Sequence, residues 1–254
     1  MINTLLITGC TKGLGQSLAL KFAQQGCHVY AVGRNKNLLE KLSDISNLIH
    51  PIIADITTEQ GRKVIFEKMN SSSQISIIHN AAIIEPMQFS DLSESVLRKH
   101  IETNLLAPIL ITQQLMPFLT EGQRIIHISS GAADLALSGL MPYCITKSAL
   151  ESLTHCLNKE LNARGIFCAN LRPGMMKTSM QSILRDAEEN VLPNRDFYIQ
   201  ARKNNTLIKT EIVADFIAWV MLQTNNTLFS ETLWNIYDST YHPAWLFSRS
   251  LLDD

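Results

Sequence analysis

The sequence predicts an α/β protein: one doubly wound parallel sheet of about seven strands between two layers of helices, in a single domain over residues 1–254. Three observations predict it. Short apolar runs such as Ile2 to Thr8, Ile75 to His79 and Gln123 to Ser130 show no polar alternation, the pattern of strands buried on both faces. Segments with helical periodicity lie between them, so strand and helix alternate along most of the chain. A glycine-rich turn, Thr8 to Gly15, joins the first strand to the first helix.

Composition narrows the function classes. The 254 residues are 46% hydrophobic and 18% charged, ordinary for a globular protein with a sizeable core. A net charge of −1 argues against nucleic acid or an anionic membrane surface as the main partner. No apolar run reaches the length of a membrane span, and Met1-Ile2-Asn3-Thr4 lacks the basic start of a signal peptide, so a cytoplasmic location is expected. The five cysteines (Cys10, Cys27, Cys144, Cys156 and Cys168) are scattered, without a Cys-x-x-Cys pair. They read as reduced thiols, with no metal site expected.

Each element then has its own justification. After the strand Ile2 to Thr8, the residues Gly9, Thr11, Lys12, Gly13, Leu14 and Gly15 form a turn in which glycines permit tight backbone. The helix from Ser17 presents its N-terminus, where an anion such as a phosphate binds well. The spacing is Gly-x-x-x-Gly-x-Gly rather than the Gly-x-Gly-x-x-Gly fingerprint. Cys27 to Gly33 is the second strand and ends in Arg34, where folds that prefer NAD place an acid for the adenosine ribose. A guanidinium matches a 2′-phosphate instead, and Lys12 adds a second charge, so NADP(H) is expected over NAD(H). Both residues are otherwise solvated surface charges.

Leu38 to Asp44 is a helix and Leu48 to Ala54 a strand. Asp55 follows, either to bond an adenine or to cap the helix near Thr57. Asn80, after the strand Ile75 to His79, is a cofactor-side candidate or a turn-former. Leu92 to Leu119 is helical, with Asn104 in an apolar stretch and Pro108 implying a local break. Asn104 either ties a bent helix together or holds a water in a proton path. Gly165 to Arg172 is the sixth strand, followed by Pro173-Gly174 and Thr178, which faces a cofactor amide or caps the next helix. Residues 179–210 are polar and methionine-rich and read as a lid over substrate. Glu211 to Leu222 is a helix, Thr232 to Tyr237 the last strand, and 240–254 an aromatic tail packed on this subunit or a neighbour.

The chemistry-bearing stretch runs from Ile125 to Ala149. Tyr143 and Lys147 are four apart on a helical pattern and so share a face, with Ser129 or Ser130 brought near by the preceding strand end. A phenol with a pKa of ~10 is a poor acid at neutral pH. A fixed ammonium beside it is expected to lower that value and make the tyrosine a working proton donor.

These motifs, in this order, resemble the short-chain dehydrogenase/reductase family over nearly the whole chain, from Thr8 to Tyr237. They are the glycine loop, Asp55, Asn80-Ala81-Ala82, Asn104, the Ser130, Tyr143 and Lys147 set, and Pro173-Gly174 with Thr178. The resemblance implies a Rossmann-like fold that binds NADPH/NADP+ and reduces a small-molecule carbonyl, and at least a homodimer or homotetramer built on the helices containing Asn104 and Lys147. It selects Ser130 over Ser129, because the family's serine stands thirteen residues before its tyrosine. Ser130 and Tyr143 would bind the carbonyl oxygen, with Tyr143 giving the proton. Lys147 would hold the ribose, and Asn104 would position a water. It places Ile56, Ala81, Pro173, Gly174 and Met176 beside the cofactor with the residues already named. Within the family, Tyr143-Cys144-x-x-Lys147 and the run from Pro173 to Met180 are similar to sepiapterin reductases and (S)-benzoin-forming benzil reductases. Sepiapterin reductases anchor the pterin with an aspartate where this chain has Asn235, which favours a ketone or 1,2-dicarbonyl substrate over a pterin. A non-catalytic NADP-binding regulator on the same fold is the competing class.

Overall fold

The computed structural model describes residues 2–69, 74–247 and 249–252. Within the expected tail, residues 248, 253 and 254 lie outside the described residues.

Seven parallel strands form one sheet in the order β3-β2-β1-β4-β5-β6-β7. They are β1 (Thr4–Thr8), β2 (His28–Gly33), β3 (Ile49–Ile53), β4 (Ser76–His79), β5 (Arg124–Ile128), β6 (Phe167–Arg172) and β7 (Trp234–Asn235). Helices α1 (Gly13–Gln24), α2 (Lys36–Ser43) and α3 (Glu59–Met69) link the first four strands. Next come α4 (Glu94–Ile101), a π-turn (Glu102–Leu106), α5 (Ala107–Leu115) and the long α6 (Met141–Leu161). The chain closes with α7 (Ser179–Asp186), α8 (Arg195–Lys203), α9 (Thr210–Gln223), α10 (Asn226–Glu231) and a short α11 (His242–Trp245).

The buried strands divide their side chains between two cores. On β1, Leu5 and Ile7 join a cluster with Leu18 and Phe22 of α1 and Phe216 and Ile217 of α9. Leu6 points the other way, into a cluster with Ile65 of α3, Ile111 of α5 and Leu161 of α6. This alternation on an unbroken apolar run is what a sheet covered on both faces requires. Buried Arg124, the first residue of β5, ties the sheet to α9. It donates to the carbonyls of Val220, Met221 and Thr224 and to Asn226 Oδ1, satisfying the C-terminal end of α9.

One expectation changes, and another is made specific. The last strand is only Trp234–Asn235, not Thr232 to Tyr237: Thr232 is the C-cap of α10, and Asn235 Oδ1 accepts from the Tyr237 amide in a turn. The break at Pro108 is a π-turn just before it, over Glu102–Leu106, so the residue without an amide hydrogen sits in the first turn of α5. The aromatic tail packs on its own chain: Trp245 is buried against Phe216, with ring centroids 4.9 Å apart.

The strand order reverses between β1 and β4, and in an open α/β sheet the ligand crevice opens at the carboxyl ends beside such a point. The four turns that follow β1, β4, β5 and β6 meet there.

Candidate active site

The turn after β1 is built from backbone. Gly9 (φ 78) and Gly13 (φ 59) adopt left-handed conformations, and a side chain on Gly15 would run into the Gly9 carbonyl and approach Asn80 Nδ2 to 2.7 Å. The α1 N-terminus behind it carries no side-chain cap, leaving its first amides free for an anion. Thr8 and Asn80 brace this turn from beneath. The Asn80 and Ala81 amides donate to Thr8 Oγ1 (3.1 and 3.0 Å), and Asn80 Nδ2 donates to the Thr8 carbonyl (2.9 Å).

At the end of β2, Arg34 is exposed and lies 3.7 Å from Asp55 Oδ2. Asp55 Oδ1 accepts from the Thr57 amide (3.0 Å) and hydroxyl (2.7 Å) in a turn ahead of α3, so the cap expected of Asp55 falls to Thr58 instead, whose hydroxyl accepts from the Gly61 amide (3.0 Å). Partial burial pushes the Asp55 carboxyl up, but the Thr57 hydrogen bonds and the Arg34 charge outweigh it and hold it below its ordinary range.

At the end of β5 the chain turns through Ser129 and Ser130, and α6 brings Tyr143 and Lys147 to face them. Tyr143 is 8% exposed and Lys147 2%. Lys147 Nζ donates to the Ile128 carbonyl at 2.6 Å and lies 5.6 Å from the centre of the Tyr143 ring. Burial lowers the Lys147 ammonium to about 8, against the opposing pull of Glu151. Burial likewise pushes the Tyr143 phenol up to about 12; a hydrogen bond with Ser130 opposes it, while Cys144 and Tyr198 add to it. The expected lowering of the phenol by lysine is not what this arrangement produces: burial dominates, and what opposes it comes from Ser130 rather than from Lys147.

Asn104 sits in the π-turn with 1% of its surface exposed. Its Oδ1 accepts from the Ile83 amide (2.8 Å), and its Nδ2 donates to the Ile83 carbonyl (3.0 Å) and to Thr146 Oγ1 (3.1 Å), the residue before Lys147. It thus ties the segment after β4 to α6.

One cavity of about 1270 Å³ collects nearly all of these groups. Gly9, Thr11, Lys12, Gly13, Leu14 and Gly15 line it beside Arg34, Asp55 and Ile56. Asn80 and Ala81 line it from β4, Ser130, Tyr143 and Lys147 from β5 and α6, and Pro173, Gly174, Met176 and Thr178 from the turn after β6. Thr8 and Asn104 do not reach the wall and act from behind it. Thr178 is the N-cap of α7 without a side-chain cap bond, and its methyl lies against Gly13, 3.4 Å from where a Cβ there would stand.

Residues 179–210 form α7 and α8, joined at their base by a parallel bridge between Met176 and Ile208. Ile183, Leu184, Phe197 and Tyr198 contribute an apolar wall opposite the glycine turn. Composition alone placed no individual residue of this segment in the site; amphipathic spacing on α7 and α8 was the available signal. Sequence reasoning also passed over Tyr237, whose hydroxyl accepts from the Met175 amide (3.0 Å), and an ionic set behind the site, Glu151, Arg172 and Asp134.

The short chain dehydrogenase family profile matches residues 3–189, and the chain belongs to that family. Its relatives include the (S)-benzoin-forming benzil reductase of Bacillus cereus, 30% identical over 233 residues, covering 84% of this chain and 91% of that one. The Bacillus subtilis (strain 168) enzyme of the same description is 26% identical over 82% of this chain and 89% of its own length. Among solved structures, the KRED1-Pglu enzyme superimposes with a TM-score of 0.84 at 23% identity, covering 92% of this chain and all (100%) of that one. The protein is therefore an oxidoreductase acting between alcohol and carbonyl groups, on a fold that binds nicotinamide cofactors. Its residues fit such a group: the glycine cradle leaves no room for side chains where backbone must approach phosphates.

Proposed function

We propose that this protein is an NADPH-dependent carbonyl reductase that acts on a ketone or 1,2-dicarbonyl of the benzil type. The observation that carries the reading is the convergence of Ser130, Tyr143 and Lys147 on one cavity wall, with Lys147 Nζ 5.6 Å from the centre of the Tyr143 ring. When bound, the nicotinamide supplies the hydride. The chain's own residues do the rest. Ser130 fixes the carbonyl oxygen, and Tyr143, protonated throughout the neutral range, gives its proton to the developing alkoxide. Lys147, anchored on the Ile128 carbonyl, holds the ribose side and presents positive charge to the tyrosinate that the transfer leaves behind. Asn104 holds α6 at Thr146, in support of this alignment.

Arg34 and Lys12 line the cavity where an adenosine 2′-phosphate would bind, which supports NADPH over NADH; Asp55 orients the guanidinium. The apolar wall of residues 179–210 suits a bulky aromatic ketone and supports the reading of that segment as a lid. Among the described residues, the carboxylates lining the cavity are Asp55, Glu85 and Glu102, and Asn235 does not line it. The position where sepiapterin reductases carry their pterin-anchoring aspartate is thus an amide outside the cavity, which supports a diketone over a pterin. Exposed Leu106 and Ile145 on the face of the π-turn and α6 support assembly of a homodimer or homotetramer, and the free thiols of Cys10, Cys27, Cys144, Cys156 and Cys168 suit a reducing cytoplasm.

The test is oxidation of NADPH and NADH, followed at ~340 nm as is usual for reduced nicotinamide, with benzil and sepiapterin in parallel. Turnover of benzil with NADPH and not of sepiapterin is expected. Turnover of sepiapterin alone overturns the substrate class, and equal use of NADH overturns the cofactor choice.

A further inference from the structure

Behind the site lies a charged set that the proposed reaction does not use. Arg172, the last residue of β6, grips Glu151 of α6 with two donors: Nε to Oε1 at 2.9 Å and Nη2 to Oε2 at 2.8 Å. Its Nη1 donates to Asp134 Oδ2 at 2.5 Å, in the turn that follows Ser130. Glu151 Oε1 also accepts from Ser129 Oγ at 2.6 Å. The Asn170 amide group donates to the Glu151 backbone carbonyl at 3.2 Å. The Arg172 and Glu151 side chains keep only 11% and 14% of their exposure.

A buried ion pair is weak evidence for stability, because desolvation offsets most of the attraction. What it does fix is geometry, since a bidentate fork has one arrangement. Here the fork joins three walls of the cavity: the end of β5, the turn through Asp134, and β6 just before Pro173. Glu151 also lies one helical turn beyond Lys147, on the same face. Two side chains of α6 therefore hold consecutive residues of the β5 end, Lys147 the Ile128 carbonyl and Glu151 the Ser129 hydroxyl. Ser130, which must meet Tyr143, is the next residue.

We propose that Glu151, clamped by Arg172, is a positioning residue for the reductase reaction: it sets Ser130 against Tyr143 and supplies the negative charge that keeps the Lys147 ammonium in place. The inference rests on the reductase reading. The charged and titratable groups around Lys147 are few. Besides Glu151, they are Tyr143 on α6, His127 on β5 with His79 stacked on it from β4, and Arg172 and Asp134 beyond Glu151. His127 is held neutral down to about pH 3 by burial and by the Lys147 charge, so it adds no charge beside Lys147. Glu151 alone opposes the desolvation of Lys147.

The experiment compares Glu151→Gln, Glu151→Asp and Ser129→Ala by two readouts: steady-state reduction of benzil from pH 6 to 10, and NADPH binding by fluorescence titration over the same range. Glu151→Gln is expected to lower kcat about tenfold or more with KM for the ketone little changed, the scale of a small misplacement at a reacting centre. The alkaline limb of both activity and NADPH binding should move down by about one pH unit, the scale set by one nearby opposite charge. Glu151→Asp should restore the limb but only part of kcat, and Ser129→Ala should lower kcat with the limb unmoved. An unmoved limb in Glu151→Gln overturns the proposal. If that variant does not fold, wild-type kcat in Ser129→Ala overturns it instead. If the wild-type protein reduces no carbonyl, the reductase reading fails first, and the limb of NADPH binding still decides the charge coupling.

Discussion

The two halves of the cavity are built from different materials. The half formed by β1, β2 and the turns after them is backbone: positive-φ glycines, a bare helix end and close approaches that exclude any Cβ. The half formed by the turn after β5 and by residues 179–210 is side chain: Leu137, Leu184, Phe197 and Tyr198 on short helices and loops. A backbone cradle can be changed only by breaking it, whereas a side-chain wall can be changed one residue at a time. The first suits a ligand common to a whole family, the second a ligand peculiar to one member.

Gly15→Val attacks the backbone half directly. Its branched side chain meets the Gly9 carbonyl, so loss of NADPH binding and a fall in melting temperature are expected together, read by fluorescence titration and thermal denaturation. Tyr143→Phe strikes where the halves meet. It should cost roughly 10²- to 10⁴-fold in kcat, the range of general acid catalysis, while the NADPH dissociation constant stays within about twofold. Near-normal turnover in that variant would sink the mechanism.

Arg34→Asp probes cofactor choice within the backbone half. It should reduce kcat/KM with NADPH by about 10- to 100-fold, the worth of a lost charge-assisted pair, and spare NADH. Unchanged preference for NADPH would return Arg34 to a surface charge paired with Asp55.

Between the halves, at the ends of β4 and β5, the rings of His79 and His127 stack 5.1 Å apart, fully buried and neutral. Burial and the Lys147 charge lower His127 from about 6.5 to about 3, and burial lowers His79 as well. The unfolded chain takes up these protons first, so stability is present above about pH 6.5 and is lost as pH falls from there toward 3. For His127 the loss between pH 7 and 5 is roughly 2 kcal/mol, measurable as a falling urea midpoint. A pH-independent midpoint in that interval would contradict it. The smallest effect belongs to the side-chain half: Phe197→Ala should raise KM for benzil about three- to tenfold, the worth of part of an aromatic contact, and leave a small aliphatic ketone unaffected.

The same contrast explains what was legible in the sequence. Strand positions, the glycine turn and the Tyr143–Lys147 pair follow from local rules of spacing, since helix period and glycine conformation are fixed over a few residues. Arg34, Asn80 and Thr178 were legible as positions, but not their partners. Asn80 was readable as facing the cofactor or forming a turn, and it does brace Thr8, 72 positions earlier. Arg172 was read only as the end of a strand. Its partners Glu151 and Asp134 come from separate elements, and no short-range pattern announces a fork assembled by three of them. The last strand was overestimated because Leu233 to Tyr237 is apolar enough for a strand, while the turn bond from Tyr237 to Asn235 ends it.

The packing of α1 on α9 bears on the order in which the protein is made. The helix whose N-terminus faces the cavity rests its apolar side on residues of α9, and Ser17 bonds Thr210 across 193 positions (2.8 Å). A ribosome at the rate of ~5–20 residues per second therefore spends about ten seconds or more with α1 made and its covering helix not yet translated. During that interval Leu18 and Phe22 have no lid, and the phosphate turn ahead of them has no fixed base. Competence to hold the proposed dinucleotide would arise late in synthesis, although the glycine turn proposed to cradle its phosphates is translated at the start.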